Sequence, residues 1–125
     1  MDCTDLAQRA EAALTHARKV HAYARGFGIG PWAEIAANRS AMHAYVEAAD
    51  AYLVAADAFE ESGAHDLALM ATRTTRALLR VAQHAIQWSS ERLQNEGLVS
   101  EAEAALRASV DLGWRIEDLT ARRRE

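Results

Sequence analysis

Cysteine, proline and lysine each occur once in this chain, as Cys3, Pro31 and Lys19. A single thiol forms no internal disulfide and builds no cysteine-ligated zinc centre, so a reducing, cytoplasmic setting is the simplest expectation. Aromatic residues supply only 6% of the sequence, which excludes a bulky aromatic centre as the main source of stability. No run of 18 apolar residues occurs. Asp2 and Asp5 stand where a secretion signal has basic residues and then an apolar stretch, so neither a membrane span nor a leader is expected. Nucleophile triads, phosphate loops that follow a strand, and helical zinc-protease motifs are missing as well.

What the chain has in abundance is alanine, 29 of 125 residues. Small side chains bury little area each, so stability must come from many close contacts between long helices. The length suits one domain, residues 1–125, and the net charge of −4 argues against general nucleic-acid binding as the main activity.

Helix breakers gather in three places: Gly26 to Pro31, Ser62 to Ala64, and Gly97. They divide the chain into four predicted helices. The first runs from about Thr4 to Arg25 with Leu6, Ala10, Ala13, Ala17, Val20 and Ala24 on one face. The second starts at Pro31 or Trp32 and ends near Glu61, with Gly63 as the left-handed cap. The third covers about Asp66 to Asn95, its expected core face being Leu67, Met70, Ala71, Thr74, Leu78, Val81, Ala85 and Trp88. Ser100 and Glu103 have capping-box spacing for the fourth, which carries Leu98, Ala102, Ala105, Ser109, Leu112, Ile116 and Leu119 on one side. The expected fold is an all-α, antiparallel up-and-down four-helix bundle with long, alanine-rich second and third helices.

The second helix has two apolar faces. Ile35, Met42, Ala49 and Ala56, flanked by Tyr45, Val46, Tyr52, Leu53 and Phe59, form a seam of larger residues. Ala37, Ala41, Ala44, Ala48, Ala51, Ala55 and Ala58 recur at steps of four and three on another side. A surface helix needs one such face, so the alanine stripe is a candidate helix-contact face: for a neighbour in the same chain by preference, or for a second chain in a homodimer.

Tyr52, Ala56, Phe59, Gly63 and Ala68 resemble the middle of a tetratricopeptide repeat, and Ile86, Ser90, Leu93, Gly97 and Ala102 repeat that register 34 residues later. The resemblance implies a helical adaptor. It departs from the family between Asp66 and Asn95, where no breaker makes the expected turn, and at Thr72 and Thr75. Two long helices joined by tight turns give the same period, and the bundle is preferred.

Polar groupings on these helices are few. Arg73, Arg76, Arg80 and His84 form the best basic patch, with Gln83 and Gln87 continuing it and no acid between Asp66 and Glu91. They are a candidate partner-binding or phosphate-binding face. The competing expectation is structural: a hairpin about Gly63 sets Glu47 beside Arg80, Asp50 beside Arg76 and Asp57 near Arg73. His16, His43 and His84 fall at similar heights, but no Glu-x-x-His pair accompanies them and no metal or other cofactor is expected. Trp32, Trp88 and Trp114 are expected to pack, with Trp32 at the bundle end as a further candidate anchor. Arg122 to Arg124 complement the last helix dipole.

Arg9 with His16, and Arg80 with His84, resemble the Arg-to-His signature of HEPN ribonucleases, which are also small helical bundles. That resemblance implies an RNA-directed nuclease. Arg80 and His84 are one residue too close, and Arg9 and His16 lie earlier than that family places its motif. Three functional expectations therefore stand: a non-enzymatic interaction module for a protein partner or itself, a HEPN-like RNA-binding protein or ribonuclease, and a small-ligand binder with Tyr45, Tyr52, Phe59 and Trp88 around its interior.

Overall fold

The computed structural model describes residues 2–24 and 30–124, with side chains through residue 121. Four helices follow in chain order: α1 (Cys3–Ala24), α2 (Pro31–Glu61), α3 (His65–Asn95) and α4 (Val99–Arg124). They form the all-α four-helix bundle, each packed on the next. The glycine-rich stretch Gly26 to Ile29, Arg25 at the end of the predicted first helix, and the side chains of Arg122 to Arg124 lie outside the described residues.

Two turns of identical design set the antiparallel course. After α2, Gly63 takes φ +83°, its N–H donates to the Glu60 carbonyl, and the Ala64 N–H donates to the Phe59 carbonyl at 2.8 Å. After α3, Gly97 takes φ +79°, with Leu98 N–H bonded to the Leu93 carbonyl at 2.9 Å. Both are Schellman caps, for which glycine is favoured because a Cβ is strained at that φ. The following residue in each case, Ala64 or Leu98, accepts the first bond of the next helix, from Ala68 or Ala102. The 34-residue echo is thus an echo of two turns, and α3 runs unbroken through the place where a tetratricopeptide repeat turns. Ser100 lies inside α4, not at its cap, because the turn already satisfies the helix start. At the other end of the chain, Asp2 Oδ1 accepts the Asp5 N–H at 2.9 Å and caps α1.

Helix α2 lies between α1 and α3. Ala37 shares a groove with Val20 and Tyr23 of α1, whereas Met42 shares one with Ile86, and Ala56 one with Ala68, on the α3 side. The alanine stripe is therefore turned to α1. Ala37, Ala41, Ala44, Ala48 and Ala55 are buried, and Ala51 and Ala58 are half-buried. Ala10, Ala17 and Ala24, seven residues apart, are the buried residues of α1. Small residues on both helices let the backbones approach toward the short end of the usual 8–10 Å interaxial range. Tyr52 stands near this seam, and its hydroxyl pKa is raised by burial and by the nearby Glu11 carboxylate, against the opposing effect of Arg18.

On α3 the core face is rotated about a quarter turn from the predicted one. Ala68, Thr75, Leu79, Ala82, Ile86, Ser89, Ser90 and Leu93 join Ala71, Leu78 and Ala85 in the interior, while Leu67 and Met70 are exposed. Two neighbours cause this shift. Helix α4 covers the side of α3 beyond α2, and small polar residues serve there because their hydroxyls bond to carbonyls: Thr75 to Ala71, Ser89 to Ala85 and Ser90 to Ala102 across to α4. No close backbone approach joins α1 to α4, so the bundle is an open array of neighbours in sequence.

Ala48 has no accessible surface. Ala48→Leu must push α1 from α2 and is expected to cost about 1–3 kcal/mol, read as a lowered urea midpoint at unchanged slope. A midpoint equal to that of the parent contradicts the close seam.

Candidate functional site

At 100° per residue, Arg73, Arg76 and Arg80 share the outer side of α3, away from α2. Helix α4 borders that side. Arg76 Nη1 donates to Thr120 Oγ1 at 3.4 Å, and Gln83 Nε2 donates to the Ser109 carbonyl at 2.9 Å. A Cβ built on Gly113 comes within 3.0 Å of Gln83 Nε2, so α3 and α4 touch closely at this height.

The structure corrects the expected charge pairing. Among the described residues three ion pairs form, His65–Glu60, Arg92–Glu34 and Arg115–Asp50, and none involves Arg73, Arg76 or Arg80. Asp50 is taken by Arg115 of α4 instead of Arg76. The reason is geometric: the acidic edge of α2 and the arginine edge of α3 point to different sides of the hairpin, and α4 places its own arginine beside Asp50.

His84, exposed one turn beyond Arg80, stands where the arginine row meets a cleft. It lines this cleft, of about 500 Å³ between α1, α2 and α3, with His21, Glu34, Asn38 and Trp88. There the Arg92 guanidinium bonds to Glu34 at 3.1 Å and sits 5.2 Å over the Trp88 ring, and His21 Nδ1 lies 3.1 Å from the buried Tyr45 hydroxyl. His43 faces a different groove, beside Arg39, Met42 and α4. His16 and Arg9 are exposed on α1. Among the described residues no three His, Cys, Asp or Glu side chains gather as a metal set. Phe59 lies next to the Gly63 turn while Trp88 sits toward the far end of α3, so Tyr45, Tyr52, Phe59 and Trp88 do not surround one interior cavity.

The tryptophans depart from expectation too. Trp88 is half-buried at the cleft, but Trp32 and Trp114 are 58% and 63% exposed. Trp114 belongs to a group missed in the sequence. Leu106 is 53% exposed and Val110 51% exposed; with Trp114 they recur every four residues along α4. The side of α4 that meets α2 is occupied by Ala104, Ala108 and Arg115. Val110 lies about 140° from Arg115, and Leu106 about 160° from Ala108. The stripe therefore faces away from α2, on the same outward side as the arginines of α3. Four-residue spacing was the available signal, but the adjoining Ala102–Leu112–Leu119 face masked it.

No helix among the described residues is long and apolar enough to cross a membrane. No family model matches the chain, and neither a curated protein nor a solved structure shows similarity to it.

An exposed stripe is dispensable for folding. Leu106→Glu combined with Trp114→Ala should change stability by no more than about 1 kcal/mol, whereas Leu112→Ala, at a buried position, should cost about 2–4 kcal/mol. Thermal melts of the two variants beside the parent make the comparison. A large loss in the double variant shows that these side chains hold the fold.

Proposed function

We propose that this chain is a non-enzymatic binding module that docks a protein partner, or a second copy of itself, on the outer face of α3 and α4. One observation carries the reading: Leu106, Val110 and Trp114 recur every four residues along α4 and all three are exposed. The surplus alanine face of α2 does not carry it, because α1 covers that face within the chain. Aligned aliphatic residues beside an exposed tryptophan are the composition of interface centres, and arginine is the charged residue most favoured around them. Arg80 is exposed and, in the register set by the Arg76–Thr120 and Gln83–Ser109 bonds, stands level with the Trp114 end of the stripe.

A photoreactive benzoylphenylalanine at position 110, with a control at exposed position 54 on α2, tests this in the source cell. Irradiation should yield discrete protein adducts at 110 and not at 54. An adduct of twice the 13.7 kDa chain mass reports self-association. No adduct at 110, or the same adducts at both positions, contradicts the proposal.

A further inference from the structure

We infer that the cleft between α1, α2 and α3 binds a free mononucleotide whose base carries an exocyclic amino group; this site is separate from the α4 stripe and independent of the docking reading. Its walls are set before any ligand arrives. The volume of about 500 Å³ lies within the range of small-molecule sites. On the α1 side the His21 ring stands edge-on to Tyr45, with centroids 5.4 Å apart. On the α3 side the Arg92 guanidinium, bonded to Glu34, lies 5.2 Å over the Trp88 ring.

Asn38 selects the base. Its side chain lines the cleft although the residue is only 8% exposed. The one hydrogen bond of that side chain among the described residues runs from Nδ2 to the Glu34 carbonyl at 2.9 Å. The second amide hydrogen and Oδ1 are left for an incoming group. A donor beside an acceptor matches the edge of a planar nitrogen heterocycle, as asparagine matches adenine, and Trp88 supplies aromatic surface in the same cleft. The Glu34 carboxylate also lines the cleft and keeps acceptor capacity beyond its bond to Arg92. It favours a base with an amino group over one with a carbonyl in its place. A ligand cation is not selected, because Arg92 already balances Glu34.

The phosphate is selected at the lip. His84 lines the cleft and is exposed, and Arg80 is exposed one turn before it, with Cβ atoms about 5–6 Å apart. Arg80 has no ion-paired carboxylate among the described residues. The nearest acid to His84 along this line of α3, Glu91, stands two turns beyond it on the side away from Arg80. An anion held between guanidinium and imidazole gains charge-assisted hydrogen bonds. A ring on Asn38 and an anion at His84 together make the ligand a nucleotide and not a bare base. The net charge of −4 favours the free nucleotide over a nucleic-acid chain.

The test uses the full chain with Trp32→Phe and Trp114→Phe, both at exposed positions, so that emission reports Trp88 alone. Adenosine monophosphate should change that emission saturably below about 1 mM. Adenosine, and inosine monophosphate with a carbonyl in place of the amino group, should each bind about tenfold more weakly. Arg80→Glu combined with His84→Glu, both exposed, should remove the preference for the monophosphate over adenosine while the circular-dichroism melt stays unchanged. Asn38→Leu should weaken adenosine about tenfold, and Glu34→Gln, which keeps the side-chain shape, should narrow the gap between the two monophosphates. No saturable change up to about 10 mM adenosine monophosphate overturns the site. Equal binding of monophosphate and adenosine overturns the phosphate at the lip, and equal binding of the two monophosphates overturns the amino-group selection. Binding that a folded Asn38→Leu chain retains in full places the ligand outside the cleft. Tighter binding of a 5′-phosphorylated RNA dodecamer than of adenosine monophosphate replaces the free nucleotide with a nucleic-acid end. Crosslinking at position 110 reports on the docking face independently of these results.

Discussion

Close approach of α2 to α1 is the constraint on which the remaining architecture depends. A seam of alanines on both helices buries little area per residue, so its contribution comes from the number of backbone and methyl contacts that small side chains permit. The seam leaves the larger residues of α2, Ile35, Met42 and Tyr45, for the interior shared with α3. It also leaves α1 without a close backbone approach to α4. An open array follows, and α4 is held by α3 together with the Arg115–Asp50 pair to α2.

That placement of α4 has two consequences for the surface. Its buried side, Ala102, Ala105, Ser109, Leu112, Ile116 and Leu119, is matched to α3, and the adjoining side with Leu106, Val110 and Trp114 has nothing left to meet. It also frees the arginines of α3 from the acids of α2. The apolar stripe and the cationic edge are thus products of one packing decision. In a closed bundle, with α1 against α4, the outer face would be differently composed.

Legibility in the sequence varied with how local the determinant was. Gly63 and Gly97 act within their own turns, and both turns lie where the breakers indicated. The ends of α2 and α3 agree with expectation to within a residue for the same reason. Facing was harder. The interior of α3 includes Thr75, Ser89 and Ser90, which a hydrophobic pattern discounts because their hydroxyl bonds to carbonyls cannot be seen in it. Ion pairing was hardest: Asp50 finds Arg115, 65 residues away, only after α4 has docked. The exposed α4 stripe was hidden because two apolar arcs adjoin on one helix, and periodicity alone does not say which is covered.

The alanine seam can be observed directly in solution. With selectively labelled alanine methyl groups, nuclear Overhauser contacts should connect Ala10 and Ala17 of α1 to the stripe of Ala41, Ala48 and Ala55 on α2, all of which are essentially inaccessible to solvent. Strong cross-peaks between the two sets are the predicted result. Methyls of α1 that show contacts only within their own helix, or cross-peaks only between different copies of the chain in a mixed-label sample, contradict the intramolecular seam and with it the open arrangement built upon it.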